Sequence, residues 1–195
     1  MSRWHGGAVV LGAWVMLAGA SEARAAEEEV YQFRTQEDPT KPPDAAVCAK
    51  APFETTVKLG ASIYVPKSRE RDGKWVSRGE KSVGTATACL RITDTRFPAG
   101  QQIPAHMRFN LPEGSFTASG TCTLVSNDVP VAGLVLAGCA LKLVELPSGY
   151  AGGTVSSTSV FNPGKLPGYA TGSNYTLYVY RAEAPKAAGA KAPTP

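Results

Sequence analysis

Histidine is scarce in this chain: there are two, and only His106 lies beyond residue 25. A Ser-His-Asp or Cys-His arrangement would have to use that one side chain. It follows Ile103-Pro-Ala and reads as an ordinary residue opening a strand. No G-x-S-x-G elbow, P-loop, G-x-G-x-x-G or H-E-x-x-H occurs. There is no C-x-x-C pair either, so the spacing speaks against a metal site and no cofactor is expected. Basic blocks are missing too. The 20 Lys and Arg against 16 Asp and Glu give a net charge of only +4, and the tail lysines are isolated. Nucleic-acid binding would need a concentrated basic face. The densest charged stretch, 67–81, interleaves acids with bases and reads as a solvated loop. No apolar run reaches the ~20 residues that a membrane-spanning helix needs.

What the chain does have begins at its N-terminus. Arg3 precedes an apolar core from Ala8 to Ala20, and Ala23-Arg24-Ala25 supplies a small-x-small cleavage pattern. Glu27-Glu28-Glu29 follows at once. This layout predicts a signal peptide over 1–25 and a secreted, periplasmic or cell-surface protein. Removal of Arg3, Arg24 and Glu22 with it would take the net charge to +3. Leu136-Ala-Gly-Cys139 spells a lipoprotein box. At the proper place, however, the chain reads Leu17-Ala-Gly-Ala20, without the cysteine that acylation requires.

Downstream the pattern is β throughout. Residues 26–54 hold one strand candidate, Val30–Arg34, and a polar segment with Pro39, Pro42, Pro43 and Pro52. Residues 55–181 are the predicted β domain. Thr55–Val65 alternates with period two, as do Val83–Ile92 and His106–Leu111. Pro112-Glu-Gly114 is a turn into Phe116–Val125, where Phe116, Ala118, Gly120, Cys122 and Leu124 share a face. Ala132–Leu146 rivals a helix, but Gly133, Gly138 and its valines favour a strand. Thr154–Phe161 and Asn174–Arg181 complete about eight strands. The even spacing fits an all-β, eight-stranded antiparallel barrel, with a two-layer β-sandwich as the alternative. Gly, Ala, Ser and Thr within strands point to close backbone approach or to a cavity lined by small residues. Residues 182–195, rich in Ala, Pro and Lys, read as a disordered tail.

Four cysteines in an exported domain imply two disulfides. Cys122–Cys139 is favoured because consecutive strands usually neighbour each other, and Cys48–Cys89 follows by elimination. The polar strand residues offer few ligand-binding candidates. Arg91, in the Val83–Ile92 strand, and Asp94 flank Ile92-Thr93, and Arg108 and Asn110 share a face. If that face lines a barrel, an arginine there could orient a polar ligand. If not, the face meets water. Tyr178 is a further candidate, in an aromatic group with Tyr150, Tyr169, Tyr175 and Tyr180.

Three stretches carry a family resemblance: Val83–Ile92, the Met107–Thr121 hairpin, and Val135–Leu143 running on to Gly149-Tyr-Ala-Gly-Gly-Thr-Val155. In layout the chain resembles the allene oxide cyclase and dirigent β-barrels. Ala137-Gly138-Cys139-Ala140 departs from that family's G-G-T-G strand. No catalytic residue carries over. The resemblance implies an eight-stranded barrel that binds a small apolar or phenolic molecule in a central cavity. It also implies cofactor-free steering of cyclisation or coupling, and a homo-oligomer. The competing expectation is a non-catalytic envelope, matrix or carbohydrate-binding protein, its barrel filled by side chains.

Overall fold

In the computed structural model, residues 27–182 are described. The expected signal peptide and all but the first residue of the expected tail lie outside them. Eight antiparallel strands run β1 (Glu28–Glu37), β2 (Val57–Arg71), β3 (Lys74–Leu90), β4 (Gln102–Leu111), β5 (Gly114–Ser126), β6 (Val135–Glu145), β7 (Tyr150–Phe161) and β8 (Gly172–Arg181). They pair in sequence order, and β8 pairs back onto β1 to close a barrel. Closure uses the full length of β1, from Glu28 opposite Tyr180 to Gln36 opposite Gly172. The first strand is therefore a stave of the barrel, not an appendage before it. Closure leaves the sheet with no open edge to template aggregation.

The period-two faces decide what goes inside. Phe33, Ile63, Met107, Phe109, Phe116, Ala118, Leu141, Val155, Leu177 and Val179 are all buried and form one core cluster. The outer wall of β5–β8 carries Thr121, Thr123, Lys142, Thr154, Ser156 and Thr176. Val125, Val144, Tyr178 and Tyr180 are exposed among them. Among the described residues no helix is long and apolar enough to cross a membrane.

Two local features were not read from sequence. The charged stretch 67–81 is a hairpin, not a loop: β2 and β3 continue through it to a turn at Asp72-Gly73. Both turn residues have positive φ, 53° and 72°. That is the primed turn whose twist matches the flanking strands, and Gly73 takes it without steric cost. The second feature is a single-turn helix, α1 (Ala45–Ala49), capped by Asp44, whose side chain accepts from the Ala46 amide. The disulfide Cys48–Cys89 ties α1 to the outside of β3, and Cys122–Cys139 bridges β5 and β6 inside the barrel. Both expected pairings are formed. Gly84 shows how closely the chain is packed, since a Cβ there would lie 1.9 Å from the Asn110 carbonyl oxygen.

Candidate functional site

The two ends of the barrel differ. Hairpins at 72–73 and 112–113, with the 146–149 turn, close one end. The longer connections 38–56, 91–101, 127–134 and 162–171 surround the other. At the hairpin end, side chains fill the interior. Phe109 meets Tyr175 at 4.8 Å and Phe33 at 5.3 Å between ring centroids, and Phe116 meets Tyr150 at 5.4 Å. Glu29 caps this end by accepting from the hydroxyls of Tyr31 and Tyr150 while pairing with Arg181. The hydrogen bond from Tyr31 and the ion pair with Arg181 hold its carboxyl below the usual range.

At the long-loop end the inward residues shrink and a pocket opens. Ala61, Ala86, Ala88 and Ala137 take the wall positions there, with Leu59, Ile103, Leu124 and Val135 between them. The Cys122–Cys139 bridge lies in the same wall, and Phe109, Met107 and Tyr175 form the floor. Phe97 and Phe161 meet edge to face at 5.5 Å beside the mouth. Phe97 sits at φ 52°, a region bulky residues seldom adopt. The cavity volume is about 90 Å³, counted as space open to water centres. At ~30 Å³ per water of liquid volume, that is the space of about three waters and less than the ~150 Å³ of a cavity that takes up benzene, so a ring ligand would project through the open mouth.

The pocket is chemically two-sided. Hydroxyls gather on β1, β7 and β8: Thr35, Ser159, Ser173 and Tyr175. Ser173 donates to Ser159 at 2.8 Å, and the Tyr175 hydroxyl points at Met107 Sδ, 3.2 Å away. Burial raises the Tyr175 pKa, so the phenol remains a neutral hydrogen-bond donor. The opposite wall, from β2 to β6, is hydrocarbon and sulfur apart from Thr87.

None of the four ligand-binding candidates from sequence lines this pocket. Arg91 is exposed just beyond β3. Arg108 lies outside β4, where its guanidinium bonds Thr117 and Glu145. Asn110 is on the same outer face, bonded to Thr85 and Ser115. Tyr178 is 37% exposed on the outside of β8. The apolar partner faces of β4 and β8 (Met107 and Phe109, Leu177 and Val179) win the interior because burying them removes more hydrocarbon from water. Tyr175, in the opposite register from Tyr178, is the tyrosine that reaches the cavity. Its odd-numbered spacing with Leu177 and Val179 carried that signal.

Arg108 joins a second cluster, beneath α1. His106 is buried at 4% exposure in the middle of β4, not at a strand end. Its Nδ1 is 2.6 Å from Ser119 Oγ, and its Nε2 has no partner. Burial pushes its pKa down, opposed by Glu145 and assisted by Arg108 and Lys50. Glu145 is held at about 2 by Lys50, Thr117 and Arg108. The unfolded chain protonates His106 near pH 6.5, whereas the folded chain resists to lower pH. Stability is therefore full above about pH 6.5, falls as pH drops towards the lowered native value, and levels off below it. Urea unfolding between pH 8 and 5 checks this, and His106→Gln should remove that part of the slope.

Comparison with protein-family models, with curated proteins and with solved structures finds no match to this chain. The barrel and its pocket are thus described on their own geometry. Among the described residues no cluster of His, Cys, Asp and Glu could hold a metal ion.

Proposed function

We propose that this is an exported protein whose barrel binds a small apolar or phenolic molecule in the long-loop half of its interior. The observation that carries the reading is the pocket itself. Alanines stand where the other half has aromatic rings, leaving space walled by hydrocarbon on one side and by convergent hydroxyls on the other. Few polar groups in a mostly apolar concavity are the usual makeup of a small-molecule site. A phenol would lay its ring against the apolar wall and exchange hydrogen bonds with Ser159, Ser173 or Tyr175. No charged acid–base pair lies in the pocket, so any reaction steered there would proceed by constraining the shape of the bound molecule. Export is supported by the N-terminal sequence pattern and by two disulfides, which persist in oxidising compartments.

A neutral two-ring probe, 1-naphthylmethanol, tests the reading by calorimetric titration. Ala137→Phe places a ring in the cavity from β6. It is expected to weaken binding at least about tenfold, a loss of ~1.4 kcal/mol, with a thermal midpoint near that of the parent. Absence of binding by the parent, or undiminished binding by the variant, would overturn the proposal.

A further inference from the structure

The one charged side chain in the pocket lining is acidic. Among all the residues that line the pocket, Glu37 is the only one that carries charge at neutral pH. It is the last residue of β1 and follows Thr35 on the same inward face, so it continues the hydroxyl side outward to the mouth. Its carboxylate has no hydrogen-bond or ion-pair partner among the described residues. Two charges on or beside the loops at the mouth are engaged with neighbours. Asp38 accepts from Thr40 and Ser62. On the 91–101 loop beside the mouth, Arg96 is held by Asp94 at 2.8 Å. No lysine or arginine lines the cavity.

We propose that the pocket selects its ligand by charge sign, taking small aromatic or apolar amines with the ammonium at Glu37 and rejecting carboxylates. This rests on the pocket being a ligand site. A carboxylate placed deep would meet hydroxyls but no cation, and an unpaired buried charge is strongly disfavoured. A carboxylate placed at the mouth would face Glu37. An ammonium at the mouth meets a free carboxylate while its ring occupies the apolar half. A neutral alcohol falls between the two.

Three probes with the same ring separate the claims: 1-naphthylmethylamine, 1-naphthylmethanol and 1-naphthoate, titrated into the full mature protein at pH 7 and low salt. The expected order is amine, alcohol, carboxylate, with the amine at least about tenfold tighter than the carboxylate. Raising ionic strength should narrow that gap, since a charge at the mouth is screened. Glu37→Gln is expected to bring amine and alcohol within about threefold of each other, as befits a partly exposed pair, with the thermal midpoint unchanged. Equal binding of amine and carboxylate, or a preference that survives Glu37→Gln, overturns the charge rule while the pocket reading stands. Failure of all three probes to bind overturns both.

Discussion

Phe109→Ala is expected to lower the free energy of unfolding by about 3–5 kcal/mol. Phe109 is 1% exposed, and its ring stands edge-on to both Phe33 and Tyr175. These three rings come from β4, β1 and β8 and meet near the middle of the barrel, where the filled half gives way to the pocket. Removing one deletes buried hydrocarbon and leaves a void between rings whose strands are fixed by ladders on both sides. A closed barrel cannot easily shrink around such a void, so relaxation should be small and the cost should lie in the upper part of the range. The void also joins the existing cavity, because Phe109 is part of its floor. The variant is therefore expected to accept a longer ring system than the parent while being less stable. Denaturant unfolding measures the first effect, and titration with a three-ring alcohol measures the second. A loss below about 1 kcal/mol would mean that the interior repacks freely, and the division into a filled and an open half would then not hold.

The barrel was largely legible in the sequence because its strands are half-buried and alternate cleanly. Met107, Phe109 and Leu111 oppose His106, Arg108 and Asn110 in β4, and the structure keeps that division. Closure was harder to read. Val30–Arg34 looks like an isolated short strand, and only its pairing with β8 makes it a stave. The 67–81 hairpin was hidden because neither of its faces is apolar, leaving Asp72-Gly73 as the one signal. Helix α1 has five residues and no periodicity to detect; an aspartate cap and a disulfide hold it. The site was the least legible part. An excess of Ala, Ser and Thr in strands suggested a cavity lined by small residues. Where they concentrate depends on register across eight strands, which no local pattern encodes. Arg91, Arg108, Asn110 and Tyr178 read as polar groups on strands, yet this barrel leaves them outside and lines its pocket with hydroxyls and alanines instead.

Replacing Cys48 and Cys89 together by alanine is expected to cost about 4 kcal/mol, on the loop-entropy account of cross-linking. The bridge closes a loop between residues 41 apart in sequence. Cys122–Cys139 spans only 17, and the same account gives it about 3 kcal/mol. The longer bridge also has a local consequence that the shorter one lacks. It pins α1 against the outer wall, burying Val47 completely and covering His106 and Thr87. The remaining ties of that segment are modest. The Asp44 amide donates to Thr87 at 3.0 Å, and the exposed Lys50 pairs with Glu145 at 3.1 Å, a contact of a kind worth ~1 kcal/mol or less. Without the bridge α1 should lift, water should reach His106, and the imidazole should protonate as readily in the folded chain as in the unfolded one. Two readouts should therefore change together in the double variant: lower stability in urea, and loss of the His106-dependent decline in stability between about pH 6.5 and 5. The Cys122→Ala, Cys139→Ala variant should lose stability but keep that decline, because its bridge lies inside the barrel and away from α1. If the Cys48 and Cys89 variant keeps the acid-side decline, the packing of Val47 alone holds the segment in place, and the bridge acts only on the unfolded chain.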